Sequence, residues 1–78
     1  MSLYYVNKNA QDSGEHEVHK ESCNYLPSED NLIYLGDFPT CAEAIREAKK
    51  HYPDVDGCYY CCFPCNKKDR NLKKDTLR

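Results

Sequence analysis

The chain has 78 residues, which is enough for one domain and too few for a second. Only 13 of them are Leu, Ile, Val or Phe, so an aliphatic core alone stabilises a fold of this size poorly. The formal net charge of −2 is too small for a charge-driven disordered chain. Six Cys and seven Tyr indicate instead a small domain held together by disulfides or by a metal ion.

Three strands are predicted in the first half of the chain. Residues 3–8 are rich in Tyr and Val, which favour extended structure. Turn-forming residues follow, and residues 16–20, with Val18 facing the core, predict the second strand of a β-hairpin with a long loop. The third strand is predicted at residues 32–35, and Gly36 is expected to end it.

One α-helix is predicted after the third strand. Thr40 is a favourable N-cap, and Glu43 three residues later completes a capping box. Pro53 is expected to end the helix near Tyr52. Apolar residues at helical spacing predict one buried stripe, which consists of Cys41, Ile45, Ala48 and Tyr52.

The remainder divides into a turn at residues 54–57, a Cys-rich knuckle at residues 58–65 and a basic tail. The tail, residues 66–78, carries a formal charge of +4 and leaves −6 on residues 1–65. We therefore predict an α+β fold for residues 1–65, with a hairpin, a third strand, one helix and the knuckle. The tail is predicted to be flexible.

The compartment is predicted from two absences. No apolar run approaches the ~20 residues that span a bilayer. The first residues also lack the basic and apolar regions of a secretory signal. A cytoplasmic chain is therefore expected, and in that compartment clustered thiols more often bind a metal than form disulfides.

Two close pairs of potential ligands predict one structural zinc ion. Cys58 and Cys61 have the spacing of a zinc knuckle, and Gly57 before them is expected to supply a tight turn. His19 and Cys23 lie where the hairpin runs out into a loop. A zinc ion bound to both pairs would join the two ends of the domain. Structural zinc contributes ~10–16 kcal/mol of apparent binding energy at neutral pH, enough to support so small a core.

Overlapping cysteine spacing leaves alternatives open. Cys62 and Cys65 form a second CxxC pair, so Cys65 can replace His19 or Cys61 as a ligand. Cys41 is most simply a buried small hydrophobe, although a Cys41–Cys65 disulfide, or one involving Cys62, is also open. A framework of three disulfides has 15 possible pairings. The two other histidines are predicted to be solvated, His16 and His51.

This arrangement resembles the Ada-type zinc-binding domain, the N-terminal metal-binding domain of the Ada methylphosphotriester repair protein and related modules of some nucleases. The family pattern is C/H-x-x-x-C, a strand, a short helix and G-x-x-P-C-x-x-C. The counterparts here are residues 19–23, 32–35, 38–44 and 57–61. The resemblance covers residues 4–65 and implies the same four-ligand zinc site.

The same comparison argues against the repair activity. The family nucleophile is a zinc-bound thiolate at the first position of the C-x-x-x-C pair, where this chain has His19. An imidazole cannot replace that sulfur as the methyl acceptor. The Arg-Pro before the knuckle and the basic residues within it are also replaced, by residues 56–57 and by Tyr59 and Tyr60. The sequence therefore predicts a non-catalytic module without the family's DNA contacts.

Three functions remain as hypotheses. The first is a protein-interaction module, in which Tyr59 and Tyr60 either anchor a partner or simply pack in the core. The second is nucleic-acid binding, with Phe63 and these tyrosines stacking on bases while basic residues of the tail contact phosphates. The third is thiol redox or alkyl-acceptor chemistry at the overlapping CxxC pairs. No membrane or small-molecule substrate is inferred. The tail bases are Lys67, Lys68, Arg70, Lys73, Lys74 and Arg78.

Overall fold

The computed structural model describes residues 1–67. A four-stranded mixed sheet is covered on one face by one helix, so the predicted α+β class is confirmed. The strands are β1 (Ser2–Asn7), β2 (His16–Lys20), β3 (Leu32–Phe38) and β4 (Val55–Gly57), and the helix is α1 (Cys41–Ala48). Short 3-10 turns occupy Glu29–Asn31 and Phe63–Cys65. The strand order across the sheet is β3-β1-β2-β4.

The predicted hairpin and third strand form the centre of the sheet. β1 pairs antiparallel with β2, with Tyr5 opposite His19. On its other side β1 pairs antiparallel with β3, with Tyr5 opposite Tyr34. Because directly opposed residues share a face, Tyr34, Tyr5 and His19 form a row on one face of the sheet. Val6 and Val18, which are also opposed, lie on the other face and are fully buried.

β4 corrects the prediction of a turn at residues 54–57. This segment runs parallel to β2, with Val55 opposite His16 and Gly57 opposite Val18. The backbone N–H of Cys58 extends the pairing by donating to the carbonyl of Val18 at 2.9 Å. Gly57 is not in the left-handed region, so its expected tight-turn role is wrong. Its small size matters because the C-terminal 3-10 turn packs closely against it.

β3 continues past Gly36, where the sequence predicted its end. The pairing with β1 steps from Tyr4–Gly36 to Tyr5–Tyr34, which leaves Leu35 as an extra residue in β3. Gly36 has φ +138°, and a Cβ there would lie 2.9 Å from the Phe38 ring. The glycine therefore permits a bulge within the strand and does not terminate it.

The helix begins after Thr40 as predicted and differs from the prediction in two details. The Thr40 side chain makes no capping hydrogen bond, so the capping box does not form. The α-helix ends at Ala48, and the following residues form a turn closed by the Tyr52 N–H donating to the Ala48 carbonyl at 3.0 Å. Ala44 and Ala48 are fully buried, whereas Cys41, Ile45 and Tyr52 are half-buried.

The core between α1 and the sheet is small, as the composition predicts. Its buried members are Tyr4, Val6, Val18, Leu35, Ala44, Ala48 and Cys62. Residues 66 and 67 are fastened to β4, because the Asn66 side-chain amide donates to the Gly57 carbonyl at 2.7 Å and the Lys67 N–H donates to Asp56 Oδ1 at 2.9 Å. Within residues 1–67, no helix has the length and apolar character needed to cross a membrane.

Candidate metal centre

The parallel pairing of β2 and β4 brings the two predicted ligand pairs together. His19 lies near the end of β2, and Cys23 follows that strand. Cys58 directly follows β4, and Cys61 lies in the next turn. Neighbouring parallel strands end at the same edge of a sheet, so both pairs meet there.

The four side chains have the spacing of ligands around one ion. One ligand atom from each of His19, Cys23, Cys58 and Cys61 lies within 4.8 Å of all the others. The Sγ atoms of Cys23 and Cys58 are 3.9 Å apart, as are Cys61 Sγ and His19 Nδ1. Sulfurs bound to one tetrahedral zinc at ~2.3 Å are about 3.8 Å apart. This group could therefore hold a metal ion.

Backbone N–H groups surround the three sulfurs. Each thiol sulfur accepts at least one such hydrogen bond, and this favours a negatively charged sulfur over a protonated one. Hydrogen bonds of this kind orient metal ligands and tune their basicity. The bonds are Lys20 N–H to Cys61 Sγ at 3.3 Å, Tyr25 N–H to Cys23 Sγ at 3.4 Å and Tyr60 N–H to Cys58 Sγ at 3.4 Å.

His19 is oriented by a carboxylate on its far side. Its Nδ1 faces Cys61, and its Nε2 lies 3.5 Å from Glu17 Oε1. Glu17 and His19 are two residues apart on β2, so both side chains point to the same face of the sheet. Burial lowers the pKa of His19 to about 4, so the ring is neutral at pH 7. A neutral imidazole with one nitrogen beside a carboxylate presents the other nitrogen to a metal.

The thiols are protonated in the metal-free protein at neutral pH. Burial raises the pKa of Cys58 to about 12 and also raises the pKa of Cys23. The pKa of Cys61 is raised first by its contact with the Cys62 thiol and then by burial. A metal that binds these sulfurs must displace their protons, so binding is coupled to proton release.

The remaining cysteines lie outside the group of four. Cys41 and Cys65 form a disulfide that joins α1 to the C-terminal 3-10 turn, so the prediction of Cys41 as a simple buried hydrophobe is wrong. Because Cys65 is bonded to Cys41, it does not replace His19 or Cys61 in the group of four. Cys62 is a free thiol buried in the core, with its Sγ 3.8 Å from Cys61 Sγ.

His16 and His51, the two histidines outside the group of four, differ in how far they are buried. His51 is exposed, as predicted. His16 is half-buried, and its ring stacks on Tyr52 with centroids 3.6 Å apart. Its Nδ1 also lies 2.9 Å from the Asn7 carbonyl oxygen. The prediction that His16 is solvated is wrong because β2 carries it beneath the segment that follows α1.

An aromatic cluster adjoins the candidate metal centre. Tyr25 stacks on Tyr60 with ring centroids 4.3 Å apart, and Tyr59 makes edge contacts with Tyr60 and Phe63. Tyr25, Tyr60 and Phe63 are 59%, 63% and 46% exposed. Sequence reasoning missed Tyr25, although its position two residues after Cys23 was a usable signal. Of the basic tail, Lys67 is exposed and residues 68–78 lie outside the described residues.

The comparisons with known proteins identify no relative. No family model matches the chain, and no curated protein or solved structure matches it. The resemblance to the Ada-type domain therefore stays a prediction. Any functional conclusion has to come from the geometry of the site.

Proposed function

We propose that this chain is a zinc-binding module in which one Zn²⁺ joins the two ends of the domain. The ligands are His19 Nδ1 and the Sγ atoms of Cys23, Cys58 and Cys61. The convergence of these four atoms within 4.8 Å carries the proposal. Glu17 behind His19 and the backbone N–H groups beside the sulfurs support it, because both are typical of the surroundings of metal ligands.

The donor set favours zinc. Thiolate and imidazole ligands select zinc, copper or iron–sulfur chemistry over magnesium and calcium, which prefer oxygen. Three sulfurs and one nitrogen in a closed tetrahedral arrangement are typical of structural zinc sites. The carboxylate of Glu17 is 3.5 Å from the imidazole Nε2. Glu17 therefore contacts the His19 ring and is not one of the four proposed ligands.

The module is proposed to be non-catalytic. A catalytic zinc keeps one position for water or substrate, whereas here four side chains supply a complete tetrahedral shell. His19 at the first position also argues against the methyl-acceptor chemistry of the Ada-type family. Thiol redox chemistry is a weaker candidate, because a zinc-bound thiolate in a closed shell is poorly available to other reactants.

Native mass spectrometry of the full chain tests the metal proposal. We expect one bound zinc, lost on treatment with a chelator, and loss of zinc in Cys23→Ser. The matched control is the double variant Cys41→Ser with Cys65→Ser, which removes two cysteines outside the group and should retain zinc. Iron in an iron–sulfur cluster, or no metal at all, would contradict the proposal.

A second proposed role is binding of a protein partner through the aromatic cluster. Exposed aromatic side chains are enriched at interface hot spots, and Tyr25, Tyr60 and Phe63 form one contiguous group. Cross-linking mass spectrometry in cells should lose its partner cross-links in the double variant Tyr25→Ala with Tyr60→Ala. His51→Ala removes an exposed ring outside the aromatic cluster and serves as the control.

Nucleic-acid binding remains the alternative for the same aromatic cluster and the tail. Stacking on bases combined with phosphate contacts predicts an affinity that falls steeply with salt. Residues 1–65 carry a formal charge of −6, which opposes such binding. Salt-dependent binding of single-stranded oligonucleotides that is lost in the same double variant would favour this alternative over a protein partner.

A further inference from the structure

A cleft lies on the sheet face opposite α1, beside the candidate metal centre. Its volume is about 530 Å³. Tyr5 of β1 and Tyr34 of β3 line it from the sheet, and Leu26 and Pro27 line it from the loop between β2 and β3. Because Tyr5 lies opposite both Tyr34 and His19, the cleft and the candidate metal centre share one row of side chains.

The two tyrosines give this cleft an aromatic surface. Their ring centroids are 5.4 Å apart, and the rings are inclined at 55°. Tyr34 is 54% exposed, so its ring is available to a ligand. A cation within about 6 Å of such a ring is attracted by its quadrupole.

The charges around the cleft have one sign. Glu21 and Glu29 both line it, and both are exposed. Among the described residues, no Lys, Arg or His lines the cleft. Carboxylates combined with aromatic and aliphatic side chains are complementary to a cation on an apolar stem.

We propose that this cleft binds an arginine side chain of an extended peptide. The planar guanidinium stacks on aromatic rings and pairs with carboxylates through several fixed N–H donors, whereas a lysine ammonium is a compact, strongly hydrated charge. The position of β3 favours an extended peptide. Within residues 1–67 this strand pairs only with β1, so its other edge offers backbone groups to an added strand.

The cleft depends on the proposed metal centre through one loop. Leu26 N–H donates to the carbonyl of Cys23 at 3.2 Å, and Tyr25 N–H donates to the sulfur of the same residue. A metal bound to Cys23 would hold this loop, and with it Leu26 and Pro27, against the sheet. The arginine proposal therefore rests in part on the proposed zinc site.

A nuclear magnetic resonance titration of the ¹⁵N-labelled, zinc-loaded full chain tests the proposal. The probe is a blocked alanine–arginine–alanine peptide, compared with peptides that carry lysine or glutamine at the centre. We expect saturable amide shifts at Tyr5, Glu21, Leu26, Glu29 and Tyr34, with the arginine peptide binding at least about threefold more tightly than the lysine peptide. The glutamine peptide should give no saturable shift.

Variants localise the binding. Tyr34→Ala should weaken binding of the arginine peptide about tenfold, and Glu21→Gln or Glu29→Gln should weaken it severalfold. Asp37→Asn removes an exposed carboxylate from the same strand outside the cleft and should leave the affinity unchanged. The amide spectrum of each variant reports whether it is folded.

Several outcomes would overturn the arginine site. They are an absence of saturable shifts, equal binding of the lysine or glutamine peptide, and unchanged affinity in Tyr34→Ala. If an oligonucleotide shifted the same amides and the arginine peptide did not, the cleft would be assigned to nucleic acid instead. If the chain took up no zinc yet still bound the arginine peptide at these amides, the metal proposal alone would fail. If it held zinc and bound no peptide, the cleft proposal alone would fail.

Discussion

Cys61 and Cys62 are adjacent thiols with different surroundings. Cys61 lies in the candidate metal centre and accepts the Lys20 N–H, whereas Cys62 is fully buried in the core. Their Sγ atoms are 3.8 Å apart, so a small movement of the chain can exchange one sulfur for the other. The contact with Cys61 lowers the pKa of Cys62, and this also favours Cys62 as a reserve ligand.

This arrangement predicts unequal effects of removing ligands. Cys23→Ser should weaken zinc binding by more than about 100-fold, the upper end of what loss of an outer-shell partner costs. Cys61→Ser should cost less, because Cys62 can supply a sulfur. Competition with a chromophoric chelator measures both affinities. The double variant Cys61→Ser with Cys62→Ser is the control, and equal losses in the two single variants would contradict the exchange.

The pKa of His19 decides whether zinc binding releases three protons or four. Its pKa of about 4 in the folded chain is below the ordinary value of ~6.5. Between these two values the folded metal-free chain carries a neutral His19 and protonated thiols. Zinc binding then releases protons from the three thiols and none from the imidazole, so affinity rises with pH.

We expect the logarithm of the zinc affinity to rise by about three per pH unit between pH 5 and pH 6.5, one for each thiol. An unfolded metal-free chain would also release a proton from His19 in this window, which would give a slope of about four. Because burial raises the pKa of Cys58 to about 12, the rise should continue above pH 9. Chelator competition at a series of pH values measures the slope, and a slope of four would show that metal-free His19 is not buried.

At the scale of elements, β4 decides whether the site forms, and it is the element that sequence reasoning missed. Three residues are too few to show the alternation of a strand, and the pairing partner β2 lies far away in the sequence. The hairpin, the third strand and the start of the helix were predictable because their signals are local. The two ligand pairs were predictable from spacing alone, but the parallel pairing that brings them together was not.

Gly57, the last residue of β4, is closely packed, and this predicts that a larger residue there disturbs the site. A Cβ at Gly57 would lie 2.7 Å from the Cys62 carbonyl oxygen and 2.9 Å from Cys65 Cβ. Gly57→Ala should therefore displace the turn that carries Cys61, lower the free energy of unfolding by about 1–3 kcal/mol and weaken zinc binding. Urea denaturation and chelator competition measure the two effects.

Gly14→Ala is the control for this prediction. Gly14 has φ +102°, but a Cβ there would have Asp54 Oδ2 as its nearest neighbour at 3.7 Å. Its replacement should cost about 1–2 kcal/mol through backbone strain and leave the zinc affinity unchanged. If both variants kept their zinc affinity, Gly57 would have no role in placing the knuckle.

At the scale of the whole molecule, one face of the sheet contains the core and the other carries the proposed binding sites. One face packs against α1 and contains the small core. The other face bears the row of Tyr34, Tyr5 and His19, and with it the arginine-binding cleft and the candidate metal centre. The disulfide and the proposed metal both reach the C-terminal segment of residues 58–65, the disulfide from α1 and the metal from β2.

Two independent cross-links predict a graded loss of structure. The disulfide closes a loop with a sequence separation of 24 residues, which stabilises the fold by about 3.5 kcal/mol in the chain-entropy description. The proposed zinc contributes by mass action, about 4 kcal/mol when free zinc exceeds its dissociation constant a thousandfold. Chelation without reductant should therefore lower the thermal midpoint by tens of degrees, roughly 4–8 °C for each kcal/mol lost, and leave helical circular dichroism at 20 °C.

Removal of both cross-links should unfold the chain at the same temperature, because few large apolar side chains are buried in the core. The double variant Cys41→Ser with Cys65→Ser separates the two contributions. It should stay folded with zinc and unfold when chelator is added, whereas the unaltered chain with an intact disulfide tolerates the chelator. Circular dichroism at 222 nm as a function of temperature measures the unaltered chain and the double variant, each with and without chelator. If chelation left the thermal midpoint of the double variant unchanged, the proposed zinc would not stabilise the fold.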